Sequence, residues 1–181
     1  MKTCFPTHSS ANEGGGKFKA LNRCFLHSLC LLPLTSLVFL LVMPEKKPDV
    51  SLQVPAELHY LPAIGQFTKT LFLHHPLLKG MENLIFNLEL VISEACSNVV
   101  RHAYPDQIPG PLEIRIWLTQ TRVIVQIIDY GHGFDPQKVP TPDFEEPREG
   151  GMGLYIIRES TDYFQYIQNK KANTMHLEFD L

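Results

Sequence analysis

A carboxylate and a carboxamide lie four residues apart in the segment LELVISEACSNVVRHAY, residues 88–104. On a helix, Glu94 and Asn98 would project from one face, one turn apart. A carboxamide oxygen is a hard ligand that suits Mg²⁺ bound to phosphates, and a carboxylate can accept the proton of a hydroxyl that attacks phosphorus. The same spacing also occurs on helices that only expose a polar stripe to solvent. For this motif taken by itself, the solvated stripe is the favoured interpretation.

The stretch DYGHGFD, residues 129–135, offers a second chemical possibility. Asp129 ends an apolar strand pattern, so its carboxylate can meet a ligand beyond the strand and accept a hydrogen bond from an exocyclic amine such as that of adenine. Gly131 and Gly133 allow tight backbone turns and close approach to a flat ring. An Asp-Gly turn that leaves a strand is common, and this motif by itself does not identify a site.

Three glycines, Gly150, Gly151 and Gly153, lie in EGGMGL, residues 149–154, at the entrance to a predicted helix. Unpaired N–H groups and the helix dipole make such an entrance suitable for an anion. The segment lacks the lysine of a Walker A loop and the GxGxxG spacing after a strand, so neither familiar phosphate-binding pattern fits. A plain helix start after a flexible loop explains the glycines equally well.

Hydrophobic periodicity predicts the elements that position these motifs. Alternation predicts strands at 50–54, 112–118, 122–129, 163–168 and 174–181. Helical spacing predicts helices from near Leu61 to about 73, from about Gly80 to Ala103, and over 152–162. The Pro-rich, acidic segment 137–151 has no periodicity, which predicts a mobile loop.

The element order β-α-α-β-β-loop-α-β-β determines the expected fold. The turns TQT and NKKAN would close two hairpins. Helices would then gather on one face of a mixed, largely antiparallel sheet, which is a two-layer α/β sandwich.

Composition restricts the class of protein. The chain has 181 residues, 44% of them apolar and 19% charged, as in ordinary soluble domains. Its net charge of -3 gives no support to nucleic-acid binding. Three cysteines precede residue 43, which leaves Cys96 alone in the body as an expected core residue. The body therefore suits a reducing cytosol.

The N-terminal part, residues 1–44, differs from the body at 45–181. Residues 24–44, CFLHSLCLLPLTSLVFLLVMP, carry no charge. The run is long enough for a membrane anchor, and a signal peptide is an alternative because basic residues precede it. A third interpretation is that translation starts at Met43 and the preceding residues are an upstream artefact. Composition does not decide among the three.

The order of the three motifs is more specific than any one of them. E-x-x-x-N on a helix, then D-x-G-x-G, then G-G-x-G-L resembles the GHKL ATPase superfamily, which includes gyrase and histidine kinases, in its N, G1 and G2 boxes. SEACSNVVRHAY and GGMGLYIIRESTD look most like the anti-sigma factor and serine-protein kinase branch. The resemblance covers roughly residues 50–181 and implies the Bergerat-type ATP-binding fold.

The resemblance implies a role for the central residues of each motif. Asn98 would ligate Mg²⁺ that bridges the ATP phosphates, and Glu94 would be the general base. Asp129 would bind the adenine amino group, with Gly131 and Gly133 shaping the pocket.

The resemblance also implies roles for residues around these motifs. The loop Gly151, Met152 and Gly153 would contact the phosphates, chiefly through the N–H groups of the glycines. Residues 137–149 would form a lid over the nucleotide. A further group is expected to face the phosphates: Arg101 or His102, Arg148 before the G2 glycines, and Thr174 on the last strand.

The branch suggests an activity and partners. Its members transfer the γ-phosphoryl group of ATP to a serine of a STAS-type anti-sigma antagonist, sequester a sigma factor, and form homodimers. A cytoplasmic protein is expected, tethered to the inner face of the membrane if residues 24–44 are an anchor. Two alternatives stay open, namely the catalytic domain of a sensor histidine kinase and a nucleotide-gated binding module without catalysis.

Overall fold

The computed structural model describes residues 46–105, 108–139 and 152–181, and in this part of the chain it contains five strands, three α-helices and two short 3-10 helices. The strands are β1 (Val50–Pro55), β2 (Pro111–Leu118), β3 (Arg122–Asp129), β4 (Tyr163–Gln168) and β5 (Asn173–Asp180). The helices are α1 (Leu61–His74), α2 (Glu82–His102) and α3 (Met152–Glu159). The predicted apolar segment 24–44 lies outside the described residues, as does most of the predicted lid.

The strands form one sheet in the order β1-β2-β3-β5-β4, and all four pairings are antiparallel. Both predicted hairpins are present, since β2 pairs with β3 and β4 pairs with β5. The predicted two-layer α/β sandwich is confirmed. No parallel pair occurs among the described strands, so the sheet is more uniform than the mixed sheet that the sequence predicted.

Side chains alternate between the two faces of the sheet, as the pleat requires. On β3 and β5, Ile127 and Met175 pack into the core beneath the helices. We call the opposite side the outer face; Gln126, Thr174 and His176 lie on it because each neighbours a helix-facing residue in its strand. This alternation decides which polar residues near the strand ends can reach the helices.

The long helix α2 begins at Glu82 rather than at the predicted Gly80. Gly80 has a φ of 82°, which is outside the helical region, so the helix can start only after it. The buried side of α2 packs on the sheet, and Cys96 is part of this core as predicted. Burial raises the pKa of the Cys96 thiol to about 12, so the thiol stays protonated.

The third helix is shorter than predicted. α3 ends at Glu159, and Thr161 Oγ1 donates to the carbonyl oxygen of Ile157. Asp162 then accepts the N–H of Asp180, which brings the chain into β4. No helix of the described residues is both long and apolar enough to cross a bilayer.

A buried histidine on the outer face is held in its neutral form. His176 Nδ1 lies 3.1 Å from Gln126 Nε2, and its Nε2 lies 2.9 Å from Glu178 Oε1. Nδ1 can therefore accept from the amide while Nε2–H donates to the carboxylate. Burial lowers the pKa of His176, and this outweighs the opposing attraction of Glu178.

Because of the lowered pKa of His176, we expect the stability of the fold to decrease in acid. The unfolded chain protonates His176 near pH 6.5 and the folded chain only at a lower pH. Below about pH 6.5 the unfolded state therefore binds more protons, and the free energy of unfolding falls by at most about 1.4 kcal/mol per pH unit from this group. The free energy of unfolding, measured with urea at several pH values, should fall less steeply with decreasing pH for His176→Gln than for the wild type. Equal slopes for the two proteins would contradict the prediction.

Candidate functional site

Two adjoining cavities open where the end of α2 meets the end of β3. The smaller has a volume of about 30 Å³ and is lined by Asn98, His102, Asp129, Gly133, Phe134 and Tyr166, among others. The larger has a volume of about 250 Å³ and is lined by Asn98, His102, Phe134, Val139, Gly153 and Leu154. Asn98, His102 and Phe134 line both, so the two cavities form one continuous candidate site.

The helix motif and the last glycine motif meet beside the larger cavity. A Cβ atom added at Gly153 would lie 2.8 Å from Glu94 Oε2 and 3.3 Å from Asn98 Oδ1. The first turn of α3 therefore approaches these two side chains closely, which a residue larger than glycine would hinder. Glu94 and Asn98 are both half-buried on the same side of α2. They form a compact group that combines one carboxylate, one carboxamide and a glycine backbone.

Asp129 is buried at the end of β3 with one of its oxygens occupied. Its Oδ1 accepts hydrogen bonds from Gly131 N at 2.9 Å and from Asn173 Nδ2 at 2.8 Å. Its side chain lies on the helix-facing side of the sheet, where it lines the smaller cavity. This carboxylate can accept a hydrogen bond from a ligand in that cavity.

Asn173 was not predicted as a site residue from the sequence, whereas its neighbour Thr174 was. Asn173 pairs with Asp129 across the sheet, and it is the first residue of β5. Thr174 pairs with Ile128 and lies on the outer face, away from both cavities. The resemblance to the superfamily suggested Thr174, but neighbouring residues of a strand point to opposite faces, so Asn173 and not Thr174 lies on the side of Asp129. The expectation that Thr174 faces the phosphates does not fit this placement.

The two glycines after Asp129 are required by protein packing. A Cβ atom at Gly131 would lie 1.9 Å from the carbonyl oxygen of Ala103, at the end of α2. The same carbonyl accepts the N–H of His132 at 3.0 Å. Gly133 has a φ of 69°, a conformation that favours glycine. The loop is thus fitted against the end of α2.

Two tyrosines hold this loop, and neither was singled out from the sequence. Tyr104 Oη donates to Pro111 O at 2.8 Å and accepts the N–H of Tyr130 at 2.9 Å. Tyr166 Oη accepts the N–H of Phe134 at 3.2 Å, and the two rings lie 4.4 Å apart. Burial raises the pKa of Tyr166 to about 12, so its hydroxyl stays protonated. Phe134 and Tyr166 give the smaller cavity an aromatic wall.

The remaining predicted residues fall into two groups. Arg101 and Met152 are exposed and do not line either cavity, whereas His102 lines both. His102 is four positions after Asn98, which places the two residues on one side of α2. Arg148, Gly150 and Gly151 lie outside the described residues, and their roles stay predictions.

The described residues suit a metal that is shared with a ligand. They contain no group of three or more His, Cys, Asp or Glu side chains that could hold an ion by themselves. Asn98 Oδ1 lies next to Gly153 at the edge of the larger cavity. One hard protein oxygen fits Mg²⁺, which is bound through one or two protein ligands together with phosphates and waters.

Comparisons with known proteins agree with this geometry. Residues 54–179 match the family model described as "Histidine kinase-like ATPase domain". The chain is 28% identical to the protein "Serine-protein kinase RsbW" of Bacillus thuringiensis strain Al Hakam, over 76% of this chain and 88% of the relative. It is 35% identical to the protein of the same name from Bacillus velezensis, over 43% of this chain and 54% of that relative.

A solved structure has a similar fold at low identity. The SiaB-SiaC complex from Pseudomonas aeruginosa contains a chain that superimposes with a TM-score of 0.50 and 13% identity, over 83% of this chain and 99% of the other. At this identity the likeness concerns the fold alone. The family match covers most of the chain and includes both cavities, and the chain therefore belongs to the histidine kinase-like ATPase family.

Proposed function

We propose that this chain is an ATP-dependent serine-protein kinase that phosphorylates a STAS-type anti-sigma antagonist and sequesters a sigma factor. The observation that carries the proposal is the meeting of Glu94, Asn98 and Gly153 beside a cavity that continues to Asp129. A binding module without catalysis would not need a carboxylate at this point. Relatives named as serine-protein kinases support the same activity.

In this proposal some residues of the site bind the nucleotide, and Glu94 transfers a proton. Asp129, on the wall of the smaller cavity, accepts a hydrogen bond from the adenine amino group, and the base lies along Phe134 in the continuous site that the two cavities form. The phosphates then extend towards Asn98 and Gly153 in the larger cavity. The backbone at the start of α3 offers N–H groups to an anion there.

Glu94 serves as the general base. The hydroxyl oxygen of the target serine forms a bond to the γ-phosphorus, and the bond from that phosphorus to the β-γ bridging oxygen breaks to release ADP. Glu94 accepts the proton that the hydroxyl loses. Asn98 would hold Mg²⁺, which, when bound, neutralises charge on the phosphates.

The test is phosphorylation of a candidate STAS-type partner protein. The purified full chain, Mg-ATP and that protein should yield a phosphoserine on the partner, detected by mass spectrometry. ATP binding without transfer would contradict the kinase proposal and favour a binding module. Acid-labile phosphohistidine on the chain itself would instead indicate a histidine kinase.

We propose an assembly and a location for the protein as well. The protein is a homodimer that acts in the cytoplasm, or at the inner membrane face if residues 24–44 anchor it. Sedimentation of the purified chain with and without the sigma factor tests the assembly.

A further inference from the structure

The carboxamide of Asn173 is fixed against Asp129, which lines the smaller cavity. Asn173 is 2% exposed and lies directly opposite Asp129 in the β3–β5 pairing. Its Nδ2 donates to Asp129 Oδ1 at 2.8 Å and to the carbonyl oxygen of Gly131 at 3.0 Å. Both protons of the amide are therefore used, one on the carboxylate and one on the loop that follows it.

These bonds make the two oxygens of Asp129 unequal. Oδ1 already accepts from Gly131 N and Asn173 Nδ2, which occupies both of its lone pairs. Within the described ranges, no hydrogen bond reaches Oδ2, and Asp129 lines the cavity. A ligand in the cavity consequently meets a carboxylate with one available oxygen.

One available oxygen distinguishes between purine bases. Guanine presents two adjacent donors, N1–H and N2–H, which pair best with both oxygens of a carboxylate in a bidentate arrangement. Adenine presents a single donor at this edge, its N6 amine, beside the acceptor N1. A carboxylate with one free oxygen satisfies adenine and leaves one guanine donor without its partner, and such an unpaired donor is unfavourable in a buried site.

We infer that Asn173 is a positioning residue that leaves Asp129 a single free acceptor oxygen and thereby sets the preference of the site for adenine over guanine. The inference rests on the proposed function, because it concerns the nucleotide of the same site. It assigns the selectivity to the Asp129–Asn173 pair rather than to Asp129 alone.

A matched pair of variants tests this role. Asn173→Thr keeps a hydroxyl donor for Asp129 Oδ1, whereas Asn173→Val has nearly the same shape and no donor. Both are β-branched and suit a strand. Calorimetry with ADP and GDP on the full chain should show the wild-type ratio of affinities for Asn173→Thr. For Asn173→Val the ratio of ADP to GDP affinity should fall about tenfold, the effect of one charge-assisted hydrogen bond.

Thr174→Val provides the control at the neighbouring position. Thr174 lies on the outer face, and its variant should keep the wild-type affinities for both nucleotides. Equal affinity ratios for Asn173→Thr and Asn173→Val would overturn the inference, as would a uniform loss of both nucleotides that leaves the ratio unchanged. A wild-type chain that binds neither ADP nor GDP would instead overturn the proposed function. The two failures are therefore distinguishable.

Discussion

Replacing Glu94 with glutamine is expected to lower the rate of phosphoryl transfer by about 100-fold or more, because general-base catalysis contributes roughly 10²–10⁴. Glutamine has the shape of glutamate and can occupy the same space beside Gly153, but it cannot take the serine proton. Affinity for ATP should stay close to that of the wild type, since Asp129 and Asn98 are unchanged. Single-turnover transfer to the STAS partner checks the expected loss of rate, and a separate binding measurement checks that the affinity for ATP is unchanged.

Glu89→Gln is the matched control on the same helix. Glu89 lies 3.7 Å from Lys69 in an ion pair between α1 and α2, away from both cavities. The substitution removes the same charge from α2 and should change transfer by less than about twofold, because Glu89 lies outside both cavities and a partly exposed ion pair contributes little to stability. Normal transfer by Glu94→Gln would remove the general base from the mechanism. Equal losses in both variants would point to the charge of α2 as the cause.

Local pattern was sufficient to predict most of the fold. β3 and β4 have the predicted bounds. Strand composition and the flanking turn residues determined these bounds, and both are properties of the segment itself. The order of the three motifs was similarly sufficient to relate Glu94 and Asn98 to Gly153. The family match then confirmed the resemblance.

Errors arose where a single backbone position decides the outcome. The sequence predicted Asn173 as a turn residue in NKKAN, but in the structure it pairs with Asp129 and is the first residue of β5. Thr174 was expected at the phosphates because of the family resemblance, but neighbouring residues of a strand point to opposite faces, and Asn173 is the one on the side of Asp129. Hydrophobic pattern cannot detect this, because Asn and Thr are both polar and both suit a strand end.

Contacts between distant parts of the chain were also beyond local pattern. The choice between Arg101 and His102 depends on how α2 faces the loop after β3, and only His102 lines the cavities. The glycine at 131 was explained from the sequence by approach to a ligand ring. In the structure its nearest neighbour is the backbone of Ala103 at the end of α2.

That contact predicts that Gly131→Ala is strongly destabilising. The added Cβ would lie 1.9 Å from the carbonyl oxygen of Ala103 and 2.5 Å from its carbonyl carbon. These are backbone atoms at the end of α2, so relief requires the loop to move away from the helix. Overpacking of this kind costs about 1–3 kcal/mol or more. Urea unfolding should show the loss, and ADP affinity should fall because Gly131 N, in this loop, donates a hydrogen bond to Asp129.

Gly65→Ala separates this effect from a general response to alanine. Gly65 lies within α1, and its added Cβ would find no neighbour closer than Ser93 Oγ at 4.0 Å. Alanine is favoured over glycine inside a helix by about 0.5–1 kcal/mol, so this variant should be more stable than the wild type. A decrease in the free energy of unfolding for Gly131→Ala together with an increase for Gly65→Ala would support the contact between Gly131 and α2. A Gly131→Ala protein with wild-type stability and ADP affinity would mean that the loop does not pack on Ala103, and the position of Asp129 would then need another explanation.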